Sequence, residues 1–319
     1  PWSDASAIDT GYSDGSDWFF QMVFCATTVS IVSGTLAERI KIWPFFLFAA
    51  ILTGIIYPIE MGWQWGGGWL SAAGFSDFAG STLVHAAGGA AALAGAIVLG
   101  PRLGRFSNGK LVPFASSSIP LATLGTFILW FGWFGFNGGS QLALAGFENA
   151  TAVATIYINT NLAACAGVMT CAVITRLING KTDVIMMLNG ALGGLVAITA
   201  EPLTPTPLMA IIIGSIGGII VILGTQALNK FQIDDVVGAI PVHLFAGIWG
   251  TLAVPLTNSG TSFGPQLLGT ASICAFVFVV SFIVWSIMKA TIGIRISEEA
   301  EKEGTDIAET GVTAYAIRD

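Results

Sequence analysis

Asp77-Phe78-Ala79-Gly80-Ser81-Thr82-Leu83-Val84-His85, with Gly89 four residues on, and Asp235-Val236-Val237-Gly238-Ala239-Ile240-Pro241-Val242-His243, with Gly247 four residues on, spell one frame twice. Both read D-x-x-G-x-x-x-V-H-x-x-x-G, and they contain the only two histidines in the 319-residue chain. An isolated histidine in an apolar stretch is ordinarily a packing group. A matched pair in a repeated frame is a functional hypothesis, because ionisable groups inside a membrane are costly. Metal ligation is the sharper rival. Two histidines with Asp77 or Asp235 make only a partial ligand shell, and no His/Cys cluster completes it, so no metal and no cofactor is expected.

The surrounding sequence is that of a polytopic membrane protein. Charged residues make up 10% of the chain and mean hydropathy is +0.78, against about 25% charge in ordinary soluble domains. The 40 glycines suit close approach of membrane helices. The four cysteines, Cys25, Cys165, Cys171 and Cys274, show no metal or redox spacing and read as small packing residues. Nine stretches, at about 18–37, 43–60, 79–100, 114–139, 150–175, 184–200, 206–228, 237–256 and 267–290, approach the ~20 residues a membrane helix needs. They are too long and continuous for barrel strands.

All twelve basic residues fall on alternate connections or at the C-terminus: Arg39 and Lys41; Arg102, Arg105 and Lys110; Arg176 and Lys181; Lys230; then Lys289, Arg295, Lys302 and Arg318. The positive-inside rule then puts the N-terminus outside and the C-terminus in the cytoplasm of a plasma (inner) membrane protein. Expected domains are an external segment at 1–17, a nine-span domain at 18–292 and a cytoplasmic tail at 293–319. Seven acids are assigned to exterior segments (Asp4, Asp9, Asp14, Asp17, Glu60, Glu148, Glu201), a weak bias towards attracting cations. The chain begins at Pro1 with an acidic external segment and no signal peptide, so upstream membrane segments are expected to be missing.

His85 falls in the third span and His243 in the eighth. An odd separation means the two helices cross the membrane in opposite directions, as in an inverted-topology repeat whose pathway lies at the repeat interface. Spans 4 to 8 would form one five-helix half and spans 1 to 3 the end of the other. Two facing imidazoles can share one proton, one donating and one accepting, which suits a small molecule able to do both.

Seven stretches together carry a resemblance: GTLAERI at 34–40, WGGGWL at 65–70, DFAGSTLVH at 77–85, WFGWFGFNGGS at 130–140, NGALGGLVAITA at 189–200, DDVVGAIPVH at 234–243 and AGIWGTLA at 246–253. In order and spacing the chain resembles the ammonium transporter family (Amt/Mep/Rh), and its Amt branch more than its Rh branch. That resemblance implies an all-α fold of eleven helices with inverted five-helix repeats, of which helices three to eleven are present here. It implies a transporter and not an enzyme, without catalytic residues. Phe24, Trp65 and Ser140 would recruit ammonium, Phe24 and Phe136 would gate, His85 and His243 would line the pore, and Asp77 would support the outer site electrostatically. It further implies a homotrimer, with a PII-type nitrogen regulatory protein as a partner at the cytoplasmic face and no nucleic acid.

The chemistry is coherent without the resemblance. Ammonium and potassium are nearly alike in size and charge. An aromatic cage offers both a cation–π attraction of ~0.5–2 kcal/mol, but only ammonium can donate a hydrogen bond to a hydroxyl or lose a proton. An apolar pore behind the cage then excludes ions by their dehydration cost.

Blander readings stand beside these. Asp77 and Asp235 both precede spans and read as helix caps, the preferred role for Asp235. Trp65 would suit an interfacial aromatic belt. Of the run Trp130, Phe131, Trp133, Phe134 and Phe136, only Phe136 is singled out. Pro241 is expected to loosen the eighth span, Asn189 to act as interhelical glue, and the acidic tail to be solvated. A sensor of the same fold and a passive Rh-like gas channel are the alternative functions.

Overall fold

The computed structural model describes residues 12–315. Seven of its helices are long and apolar enough to cross a bilayer: Asp14–Leu36, Ile42–Ala72, Ser81–Leu99, Ile119–Gly139, Phe147–Asn179, Pro207–Lys230 and Phe263–Thr291. Two shorter apolar helices, Val184–Ile198 and Ile240–Leu256, occupy the other two expected places. By element they are α1 (Asp14–Leu36); α2 (Ile42–Ile51) leading through a π-turn at Leu52–Ile56 into α3 (Tyr57–Gln64); α4 (Trp69–Ala72); a π-turn at Ser81–Ala86 opening α5 (Ala87–Leu99); α6 (Ile119–Gly139); α7 (Phe147–Asn179); α8 (Val184–Ile198); α9 (Pro207–Lys230); a π-turn at Ile240–Phe245 opening α10 (Ala246–Ala253); and α11 (Phe263–Thr291). A two-stranded hairpin pairs β1 (Phe106–Ser107) with β2 (Lys110–Leu111).

Local chemistry sets the helix ends. The expected start at 114 moves to Ile119, where Ser118 caps the helix by accepting from Leu121 N and a proline occupies the first turn. Thr206 does the same for Pro207–Lys230. Outward faces carry large apolar side chains such as Phe131 and Phe147, 80% and 86% exposed. That is the inverse of a soluble fold and is the surface a lipid solvent requires.

Packing centres on Ser81–Leu99, almost wholly buried and rich in alanine and glycine. It lies between α1, α11 and the second histidine helix. The two histidine helices cross at the terminal glycine of each frame. A Cβ on Gly89 would stand 2.6 Å from the backbone nitrogen of Leu244, and one on Gly247 would collide with the carbonyl of Ser81. No larger residue fits either place without separating the helices.

The basic face is cross-linked. Asp234, 2% exposed, accepts from Arg102 backbone N at 3.0 Å and from its Nε at 2.8 Å, and pairs with Arg105 at 3.3 Å. Arg102 also pairs with Glu38, while Arg39 donates to the carbonyls of Asp234 and Gly100. Burial alone would raise the Asp234 carboxyl, but the hydrogen bonds and charge of Arg102, aided by Arg39, hold it below the usual carboxylate range. Burial pulls the Arg39 guanidinium down to about 10.

The acidic segment read as a solvated tail is docked on this face instead. Ile40 bridges to Arg295, Glu301 accepts from Leu103 N at 2.7 Å and pairs with Arg295 at 2.8 Å. Glu309 accepts from Ile42 N at 2.9 Å. Backbone N–H groups of Leu103 and Ile42, together with Arg295 of the segment itself, are what hold these carboxylates.

Candidate functional site

Each letter of the repeated frame has a structural task. Asp77 Oδ1 accepts from Gly80 N at 3.0 Å and Ser81 N at 2.9 Å, and its Oδ2 from Thr82 N at 2.8 Å and Leu83 N at 2.9 Å. These are the orphan donors of the helix start. Asp235 repeats the cap with Gly238 N at 3.1 Å and Ile240 N at 2.7 Å, and also accepts from the Thr35 hydroxyl at 3.1 Å. Gly80 and Gly238 turn the chain at φ 103° and 81°, a left-handed region that costs other residues strain. Both Asp77 oxygens are committed to backbone N–H groups, four in all, which stabilises the turn.

Each histidine sits within one of the two π-turns, His85 as its fifth residue and His243 as its fourth. The second turn contains Pro241, as the loosening expected of that span requires, but such a turn does not need proline, since the first forms over Ser81–Ala86 without one. Widened turns of this kind concentrate at functional sites. The crossing brings His85 Nδ1 to 3.2 Å from His243 Nδ1, with the rings 5.2 Å apart and 21° from parallel. One Nδ1 can therefore donate to the other. His85 is 1% exposed, and its Nε2 has no hydrogen-bond partner.

A stack of aromatic rings continues from the pair. Phe136 lies 5.2 Å from the His85 ring and 4.3 Å from Phe24. Phe24 meets Trp65 edge-on at 5.6 Å, and Trp65 Nε1 donates to the carbonyl of Asp77 at 3.0 Å. The Asp77 turn thus positions Trp65 by its backbone as well as capping the helix by its side chain. Ser140 follows one turn after Phe136, its hydroxyl donating to the Phe136 carbonyl at 2.8 Å. The oxygen lone pairs remain available to a further donor.

The aromatic run on α6 holds one residue that sequence reasoning passed over. Trp133 stacks on His85 at 4.9 Å and 18°, and its Nε1 donates to Thr199 Oγ1 at 2.8 Å. Its spacing, three residues before Phe136, put it on the same helix face and was the available signal. Phe20, 4.7 Å from Phe24, is one turn earlier on α1 and was likewise missed. Asn189 donates to the Val237 carbonyl at 3.0 Å, tying α8 to the second Asp–Gly turn.

The exterior acid set needs correction. Glu60 is fully buried, and Glu201 is 7% exposed and bound to Asn258 at 2.7 Å. The helix carrying Glu60 continues to Gln64, past the expected end of the span, and so takes the acid inside. Asp4 and Asp9 lie outside the described residues.

The chain is similar to known proteins in sequence and fold. The model of the Ammonium Transporter Family matches residues 2–315. Ammonium transporter Amt2 of Archaeoglobus fulgidus is 44% identical over 329 residues, covering 93% of this chain and 69% of that protein. The ammonium transporter of Bacillus subtilis is 36% identical over 312 residues, covering 93% and 74%. Among solved structures, a sensor Amt protein superposes with a TM-score of 0.88 at 37% identity, covering 92% of this chain and 76% of that one. Candida albicans Mep2 gives 0.77 at 30% identity, covering 86% and 65%. With a family model spanning nearly its whole length and relatives well above the identity at which fold and family part company, this membrane chain belongs to the ammonium transporter family.

Proposed function

We propose that the chain recruits ammonium at Phe24, Trp65 and Ser140, deprotonates it at the Phe24–Phe136 ring pair, and passes ammonia along His85 and His243. The observation that carries the reading is the Nδ1–Nδ1 distance of 3.2 Å between the histidines, in line with the aromatic stack. Neutral imidazoles sharing one proton offer both a donor and an acceptor to ammonia. They offer a dehydrated potassium ion far less than it loses by leaving water.

In this reading the Trp65 end faces outward, the basic face is cytoplasmic, and the chain works as a homotrimer in the plasma membrane. A PII-type regulator would meet the basic face. The test is ammonium-evoked current in proteoliposomes, with a potassium pulse as the control and His85→Ala and His243→Ala alongside. A saturable, ammonium-selective current that changes in both variants is the expected result. Currents identical to wild type in both would remove the histidines from the pathway.

A second reading, a sensor of the same fold, is favoured by the likeness to the sensor Amt protein and by the docked segment around Glu301 and Glu309. Ammonium binding that leaves current and internal pH unchanged, but alters protease protection of that segment, would select it.

A further inference from the structure

The α1–α3 interface contains a row of buried oxygen atoms that the pathway does not use. Tyr57, Glu60 and Gln64 recur at i, i+3 and i+7, and therefore share one face of α3. The Tyr57 hydroxyl, both carboxylate oxygens of Glu60 and Gln64 Oε1 have no hydrogen-bond partner. Gln21 Oε1 on α1 has none either. The Cys25 thiol donates to the Thr53 carbonyl in the adjoining π-turn at 3.3 Å, which fixes the register. One turn from that contact, Gln21 lies level with Tyr57 as the two antiparallel helices continue.

Glu60 is fully buried. The titratable groups that feel its charge are Tyr57 on its own helix, Cys25 on α1 and Cys274 on α11, with Asp77 acting on Glu60 from the turn before the first histidine. None is a cation. Asp77 has four backbone donors and Glu60 has none, so one carboxylate is satisfied by the fold and the other is not. A buried ion without a partner is among the most expensive features a fold can hold, and a buried ionisable group in a membrane helix marks a site by default.

Four of the unsatisfied atoms, both Glu60 oxygens and the amide oxygens of Gln21 and Gln64, only accept, and the Tyr57 hydroxyl brings a single proton of its own, so the missing component is a donor-rich cation. Ammonium brings four N–H donors and one positive charge, whereas potassium and sodium bring charge alone. We propose that the α1–α3 interface around Glu60, with Tyr57, Gln21 and Gln64, binds a second ammonium ion, apart from the Phe24–Trp65–Ser140 entrance. Tyr57 also packs against Phe24 and Val84. Occupancy of this site would therefore be felt by the gate ring and by the residue before His85. The site stands on these orphaned oxygens and does not require that the pore conduct.

The test is calorimetric titration of the purified full-length protein with ammonium chloride, at constant ionic strength against sodium chloride, comparing Glu60→Gln, Tyr57→Phe and Ser140→Ala with wild type. Two saturable components are expected. Glu60→Gln should weaken one of them roughly tenfold or more and leave the component sensitive to Ser140→Ala in place. Tyr57→Phe should weaken the same component and keeps the result readable if the Glu60 variant fails to fold. Titration curves identical to wild type in Glu60→Gln, or in Tyr57→Phe where the Glu60 variant does not fold, overturn the site and leave the pore reading standing. Loss of one component in Glu60→Gln, with Ser140→Ala unchanged, supports the site and removes Ser140 from recruitment. Infrared spectra at saturating ammonium give an independent readout. A protonated-carboxyl band that Glu60→Gln abolishes would mean that a proton, not ammonium, neutralises Glu60, and would also overturn the proposal.

Discussion

His85 and His243 face one another with Nδ1 atoms 3.2 Å apart, and two glycines four residues further on make that approach possible. Gly89 meets the backbone of Leu244, and Gly247 meets the backbone of Ser81 and Ala86. The obstruction in each case is main chain, which cannot swing aside as a side chain can. Gly89→Ala should therefore push the helices apart, costing about 1–3 kcal/mol as overpacking usually does, and should lower ammonium flux with it. Thermal unfolding and flux measured on one preparation check this. A variant with both properties intact would show that the crossing is looser than its geometry.

Asp77 and Asp235 hold the same place in their frames but carry different loads. Asp77 receives four backbone N–H groups, whereas Asp235 receives backbone donors together with the Thr35 hydroxyl. Asparagine keeps the shape but turns one acceptor into a donor facing N–H groups. An unsatisfied buried donor costs about 1–3 kcal/mol, so Asp77→Asn should destabilise at least as much as Asp235→Asn. Because Trp65 is bonded to the Asp77 carbonyl, Asp77→Asn should also weaken apparent ammonium affinity. Equal stability loss without any change of affinity would restrict Asp77 to the helix cap.

Trp133 acts on the first histidine in two separable ways. Trp133→Phe keeps a ring against His85 but removes the donor to Thr199, a loss of about 1 kcal/mol. Trp133→Leu removes the stacking as well, worth about 0.5–1.5 kcal/mol more for an aromatic pair. Conduction should fall more in the leucine variant than in the phenylalanine variant. If the two conduct alike, the ring does not orient His85 and serves only as packing.

What the sequence disclosed depended on periodicity and on repetition. The nine apolar runs, their alternating basic connections and the Asp–Gly–His–Gly frame all recur at intervals that a single chain displays. The π-turns around His85 and His243 do not, since one extra residue in a helical turn leaves no mark in hydropathy. Trp133 was hidden among five aromatic residues on a helix whose outward face is also aromatic, so ring count could not separate pathway from lipid surface. Glu60 was misplaced because a charged residue near the end of an apolar run looks like the water boundary. The helix continues past it through Trp63, which packs on Phe276 at 4.9 Å. The docking of Glu301 and Glu309 joins them to the backbone N–H groups of Leu103 and Ile42, 198 and 267 positions away, beyond the reach of any local pattern.

Asp234 offers a test at the basic face that is independent of transport. Its carboxylate is buried, gripped by Arg102 through backbone and guanidinium, and held below the usual range. Each partner keeps another, Glu38 for Arg102 and Arg105 for Asp234, so Arg102→Met and Asp234→Asn should each lower the unfolding temperature, by less than the about 3–5 kcal/mol that a buried charge left wholly unpaired costs. The pH dependence has a definite sign. A carboxyl with a depressed value in the folded state contributes its full stability above its unfolded value, about 3.9, and loses it as pH falls through the folded value. The gap between wild type and Asp234→Asn should therefore be constant from neutral pH to mild acid and shrink below about pH 4. Thermal unfolding across that range checks it. A gap that instead closed near neutrality would assign the stabilising role to some group other than this carboxylate.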